Sequence, residues 1–299
     1  MHDRTIAFVT PVDAARWKRR LVFSPLARIV IYVAMLVLLE MATGLLMRAL
    51  GWGGRCASDI DVGTAQFVLR AIPELLAYLL LVRVLERRPV TELAPRTLLP
   101  DGLAGILAGL ILFSAVVGTL WLLGSYHVIG THPDASWLPA LLMAGLGAGI
   151  GEEIMFRGVL FRIVEEGLGT WWALVVSALF FGAVHLGNTG ATLWSSCAIA
   201  IEAGLLFGVI YHLTRSLPLC MGLHAAWNFA QGTIYGIPVS GFKAEGWLVS
   251  TRTGPDWLSG GVFGAEASVV ALLVCSAVSA VLLVVAVRRR TIVTMRRSQ

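Results

Sequence analysis

Three short polar groups stand inside otherwise apolar sequence: Glu152-Glu153-Ile154-Met155-Phe156-Arg157, Phe181-Gly182-Ala183-Val184-His185 and His224-Ala225-Ala226-Trp227-Asn228. On a helix Glu153 and Arg157 are four residues apart and can pair along one face. Glu152 is rotated by about 100° and left without that partner. The opposing pulls of burial and a nearby cation set the proton affinity of such a carboxylate, and a general base working near neutral pH needs that balance. Read structurally, the same group is an ion cluster that holds helices together. His185 alone fits a histidine bonded to a carbonyl or reaching the membrane interface. His224 and Asn228 share a helix face, and both can donate hydrogen bonds to a developing oxyanion. Their structural reading is a polar pair between membrane helices.

Other catalytic patterns are missing. There is no HExxH zinc helix, no GxSxG elbow, no GxxxxGK[ST], no GxGxxG, and no aspartate inside any apolar run. Gly145-Leu146-Gly147-Ala148-Gly149-Ile150-Gly151 is either a close-packing face or a thin, kinked stretch that makes room beside Glu152. The remaining intramembrane ionisable groups are Glu40, Arg70, Glu74, Glu202 and His212. Arg70 and Glu74 are spaced to pair. Glu40 and Glu202 lack a local partner and suit neutralising Arg157 or Arg70 across helices.

The elements that position these groups follow from composition. The 299 residues are 57% hydrophobic and 14% charged, with mean hydropathy +0.80, against about 45–50% apolar and about 25% charged in soluble domains. This excludes an ordinary soluble enzyme, a disordered chain and a disulfide scaffold. The net charge of +5 comes from basic residues at the ends of apolar runs, where they act as topology signals. No nucleic-acid partner is expected. Cys56, Cys197, Cys220 and Cys275 form no CxxC and read as packing residues. No cleavable leader is evident.

Eight apolar runs have membrane-spanning length: 27–50, 65–85, 102–126, 138–163, 168–187, 191–214, 217–237 and 265–287. Lipid leaves no partner for exposed backbone, so each is expected to be a helix. Eighteen Lys and Arg fall on one side of these spans and four on the other, which places both termini in the cytoplasm. The expected architecture is an all-α integral membrane bundle of about eight helices, one domain over 1–299 with a motif-bearing core at about 138–237. A basic segment at 1–26, with Trp17 to Leu26 suited to the membrane surface, precedes it. The loop at 238–264 reads as a lid or a linker.

EExxxR, FxxxH and HxxxN, in that order on three successive polar-bearing helices, resemble the type II CAAX prenyl endopeptidase family, the CAAX protease and bacteriocin-processing (CPBP) intramembrane proteases. The resemblance implies an intramembrane endopeptidase. Glu152 and His185 would activate water, His224 and Asn228 would stabilise the oxyanion, and Glu153, Arg157 and Phe181 would support them. It also implies a membrane-associated peptide or protein substrate. The chain's Gly, Ala and Trp usage suggests a bacterial cytoplasmic membrane, where a substrate other than a prenylated one is expected. The expected mechanism uses no cofactor. The alternative is zinc held by Glu152, His185 and His224, three protein ligands and a water. Two other functions compete: a non-enzymatic immunity or regulatory protein on the same scaffold, and a proton-coupled transporter, which should show inverted repeats that the sequence lacks. At about 1.5 Å per residue, these runs put Glu152 and His224 at similar depth in the cytosolic half and His185 about 10 Å nearer the outer face. A kink at Gly182, a break at Gly145–Gly151 or a dip at Gly167–Trp172 would bring them together.

Overall fold

The computed structural model describes residues 8–54 and 57–295. Arg4, Arg55, Cys56, Arg296 and Arg297 lie outside them, as does most of the segment before Val9. The chain is mostly helical. A short surface helix at Arg16–Leu21 carries Lys18, Arg19 and Arg20 in its last turn and buries nothing. The long helices are α1 (Pro25–Ala49), α2 (Asp59–Leu79, running on as wide π turns over Leu80–Leu85), α3 (Pro95–Leu122), α4 (Trp137–Leu168), α5 (Thr170–Gly187), α6 (Leu193–Thr214), α7 (Leu217–Phe229, with π turns over Ala230–Ile234) and α8 (Val269–Arg288). Serine caps set several boundaries. The side chains of Ser24, Ser58, Ser216 and Ser268 each accept a first-turn backbone N–H of α1, α2, α7 and α8, which satisfies donors that the helix itself cannot.

Among the described residues six helices are long and apolar enough to cross a membrane: α1, α3, α4, α5, α6 and α8. The other two, α2 and α7, are less apolar. α2 holds Arg70 and Glu74, with Arg83 in its π extension, and α7 holds His224 and Asn228, with Gln231 beyond them. α7 is sheathed by its neighbours, whereas α2 keeps an exposed face at Ile60, Ile72 and Leu76. α7 lies against α3 so closely that a Cβ on Gly222 would strike the backbone of Gly102, and one on Gly105 would strike Leu219. Small residues permit this approach where no water drives helices together. The contact is sealed by Trp227 edge-on to Phe113, ring centroids 4.9 Å apart.

The structure also contains a small antiparallel sheet that the reading of apolar runs does not anticipate. β1 (Tyr126–Thr131) pairs with β2 (Leu248–Arg252), with a register irregularity between Val128 and Gly130. It joins the loop after α3 to the loop before α8, outside the helices, where its exposed edges can be hydrated.

At the other end of the bundle the helix ends are tied by ions. Arg28 bonds Glu86 at 2.7 Å and Glu166 at 2.8 Å, Arg162 bonds Glu86 at 3.0 Å, and Arg88 bonds Glu86 and Glu92. Glu165 holds His212 at 2.7 Å and also pairs with Arg215. Burial alone would push the Glu86 and Glu92 carboxyls up, but the surrounding guanidinium groups hold both below the ordinary range. A depressed folded value means stability that is present above the ordinary glutamate range and lost as pH falls from there through the lower folded value. Glu86→Gln leaves buried Arg28 and Arg162 short of a counter-charge, a loss of about 3–5 kcal/mol. In detergent, its melting temperature should fall well below wild type at pH 7, and the gap should narrow on acidification.

Candidate active site

Wide turns surround the polar groups. α4 is π-helical over Leu141–Gly147 and Ile154–Phe161, with only Ala148–Glu153 in regular α geometry between them. Such widened turns recur at functional sites because they re-aim side chains. The close-packing reading of the glycine run applies here. Gly149 packs so tightly on α7 that a Cβ would come 3.0 Å from the Met221 carbonyl oxygen, and the stretch before it is widened into π turns. The result sets Glu152 and Glu153 against His224.

The depth mismatch disappears for a simple reason. α4 does not end near 163 but continues to Leu168, and the chain reverses at Gly169, whose φ of +85° is a conformation natural to glycine. Glu152 lies sixteen residues before Leu168, and His185 lies fifteen after Thr170. A hairpin about Gly169 therefore places them level with one another, not about 10 Å apart in depth as the run lengths suggest. No kink at Gly182 is needed. Helix α5 is regular through it to Val184.

The two imidazoles are aimed by the same device. His185 Nδ1 bonds the Phe181 carbonyl at 2.7 Å, and His224 Nδ1 bonds Glu153 Oε1 at 2.8 Å. Each Nδ1 is thereby committed as donor, which leaves each Nε2 free. Both Nε2 atoms then point to one acceptor, Glu152 Oε2, at 3.9 Å each. That spacing is too long for a direct hydrogen bond and fits one bridging water. Glu152 Oε2 is buried and has no hydrogen-bond partner.

Glu153 and Arg157 form the pair expected from their spacing, at 2.9 Å. Arg157 does more. It lies between the rings of Phe181 and Phe207, 4.7 and 5.1 Å from their centroids, and donates to the carbonyls of Ala203 and Gly204. It thus ties α4, α5 and α6 together, and it fixes Glu153, which fixes His224. Asn228 is one helical turn beyond His224, and its Nδ2 gives one hydrogen to the Ala144 carbonyl at 2.8 Å. An amide nitrogen has a second hydrogen to offer.

Glu152, Phe181, His185, His224 and Asn228 line one cavity of about 650 Å³, a size typical of ligand sites. The cavity reaches the surface past Asp59, Ser136 and Lys243, at the end of the bundle away from the ion network. The loop read as a lid or linker contributes Val239, Ser240 and Phe242 to its wall.

Residues 134–230 match the model of the type II CAAX prenyl endopeptidase, Rce1-like, family. The chain carries an Rce1-like domain. The match covers under half of the chain, spans α4 to α7 and contains all four candidate catalytic residues. No curated protein matches the chain significantly. Outside the Rce1-like domain, one wall residue escaped the sequence reading. Glu266 sits in the loop before α8, yet it is buried and lines the cavity. Its signal was available, since it is the one charged residue between Asp256 and Arg288.

Arg70 and Glu74 do not form the expected ion pair. Glu74 is bonded by the Tyr32 hydroxyl instead, and Arg70 lines the cavity, where its charge acts on Glu40. As for zinc, among the described residues no group of three or more His, Cys, Asp or Glu is arranged to hold a metal ion. The 3.9 Å between each Nε2 and Glu152 Oε2 exceeds the about 3.3 Å that separates two ligands on a tetrahedral zinc. The donor set as placed does not fit that ion.

The two glutamates of the Rce1-like domain are thus unlike. Glu153→Gln should fold poorly, because it strands the fully buried Arg157 guanidinium, at about 3–5 kcal/mol. Its melting temperature in detergent should drop far more than that of Glu152→Gln.

Proposed function

We propose that the chain is an intramembrane endopeptidase that hydrolyses a peptide bond in a membrane-associated peptide or protein. The observation that carries this is the convergence of two oriented Nε2 atoms on Glu152 Oε2 at one water's spacing, inside the Rce1-like domain. A water held between Glu152 and His185 loses a proton to Glu152 as its oxygen attacks the scissile carbonyl carbon. The carbonyl π electrons move to oxygen, and the resulting oxyanion is met by the free Asn228 amide hydrogen and by His224 as an imidazolium, whose Nδ1–H is held by Glu153 while Nε2–H stays available. Collapse of the tetrahedral intermediate breaks the C–N bond, and Glu152 returns its proton to the leaving amine. Glu153 and Arg157 position His224, and the Phe181 carbonyl positions His185. No cofactor takes part.

In this reading the chain crosses the bilayer eight times, α2 and α7 joining the six apolar helices, as one domain with both termini in the cytoplasm. The arginine-rich, ion-paired end is then the cytoplasmic one. The cavity mouth faces the opposite side of a bacterial cytoplasmic membrane. Comparison of protein N-termini in membranes from cells making wild type or Glu152→Gln tests the activity. New N-termini should appear with the wild type and vanish with the variant. Identical sets would sink the endopeptidase reading.

A further inference from the structure

We infer that the cavity contains a second, acidic subsite, formed by Glu202, Glu266 and Thr233, which takes a lysine or arginine side chain of the substrate close to the scissile bond. The inference rests on the endopeptidase reading and deepens it by naming a substrate feature.

All three residues line the same cavity as Glu152 and His185, and all are at least nine-tenths buried, with exposures of 3% for Glu202, 2% for Glu266 and 1% for Thr233. They come from three separate elements: Glu202 from a π turn of α6, Thr233 from the π turns after α7, and Glu266 from the loop before α8. Glu202 Oε2 and Thr233 Oγ1 have no hydrogen-bond partner. Glu266 Oε1 accepts the backbone N–H of Ser240 at 2.5 Å. Neither carboxylate forms an ion pair with any described residue.

Four buried carboxylates elsewhere have cations beside them. Glu86, Glu92, Glu153 and Glu165 are each in direct contact with arginine. Among the described residues Glu202 and Glu266 have no cation in direct contact, as is also true of Glu74, but Glu74 is met by the Tyr32 hydroxyl whereas Glu202 Oε2 is met by nothing. Burial pushes the Glu266 carboxyl above its ordinary range despite the bond from Ser240. The unpartnered Glu202 Oε2 and Thr233 Oγ1 are costly to bury, whereas Glu266 keeps the bond from Ser240. A cation arriving with the substrate removes the cost. A lysine ammonium brings three donors and an arginine guanidinium five, enough to bond Glu202 Oε2, Thr233 Oγ1 and Glu266 together. Arg252 and His185 act on Glu266 through space, but neither they nor Arg70 and Lys243 on the cavity wall form an ion pair with Glu202 or Glu266.

The test reads the residues flanking each wild-type-dependent N-terminus in membranes from cells making wild type, Glu152→Gln, Glu202→Gln or Glu266→Gln. Lys and Arg should be enriched at one fixed position near the cut with wild type, and that enrichment should be lost with Glu202→Gln and Glu266→Gln. A synthetic peptide spanning one such cut, compared with its norleucine counterpart at the basic position, keeps the test independent of how the variants fold. Purified wild type in detergent should prefer the lysine peptide by about tenfold or more in kcat/KM. Wild-type-dependent termini without basic enrichment, equal cleavage of the two peptides, or enrichment that persists in folded Glu202→Gln protein would each overturn the subsite while leaving the endopeptidase reading intact. No wild-type-dependent terminus at all would overturn the endopeptidase reading itself, and the subsite with it.

Discussion

Glu152→Gln protein should accumulate and melt like wild type yet show no cleavage above background. The reason lies in what each carboxylate touches. Glu152 Oε2 has no hydrogen-bond partner, and two imidazole nitrogens stand 3.9 Å from it. Exchange of a carboxylate for an amide of the same shape therefore breaks no bond that holds helices together. It does remove the group that accepts the proton from water, and loss of a positioned base typically costs about 10²–10⁴-fold. The amide also cannot carry the proton to the leaving amine, so the second half of the reaction fails with the first. Glu153 is the contrast, locked between Arg157 and His224 at 2.9 and 2.8 Å. A Glu152→Gln protein as active as wild type, assayed on a peptide that wild type cuts, would remove Glu152 from the role of base.

The elements and the motifs were legible because the bilayer leaves few choices. Apolar runs of spanning length have to be helices, and a polar side chain inside one has to face the bundle. Spacing was equally informative where partners lie on one helix, as Glu153 and Arg157 do. It failed where partners lie on different helices. Arg70 and Glu74 are four apart, but Tyr32 on α1 reaches Glu74 first, a contact that no local pattern contains. His185 was misplaced in depth because hydropathy ended α4 near 163, where Arg162, Glu165 and Glu166 begin. The helix continues, since Arg162 is paired to Glu86 and Glu165 to His212 and Arg215, so the charges are solvated by protein and not by water. α2 and α7 are weakly apolar because they bring polar side chains to the cavity, Arg70 on α2 and His224 and Asn228 on α7. Glu266 was overlooked because it lies in a loop, and burial of a loop residue is set by tertiary packing alone.

Asn228→Ala should lower kcat by about 10²–10³-fold, the usual cost of one oxyanion donor, with little change in KM, because the contact forms mainly in the transition state. The geometry sharpens this expectation. Asn228 Nδ2 is pinned to the Ala144 carbonyl at 2.8 Å, so its second hydrogen is pre-aimed and needs no reorganisation as charge develops on the carbonyl oxygen. Asn228→Asp should be at least as damaging. A carboxylate has no hydrogen to give to Ala144, and its charge repels the oxyanion. His224 acts from the same helix face one turn earlier, oriented through Nδ1 by Glu153. If His224 were instead a zinc ligand, activity would vanish on chelation and return with added zinc, and active protein would hold about one metal per chain. Metal analysis of purified active protein with a chelator titration separates the two cases. Stoichiometric zinc whose removal and restoration track activity would overturn the oxyanion role of His224, whereas metal-poor protein that stays active in chelator, and that loses kcat in Asn228→Ala, is the behaviour this geometry leads one to expect.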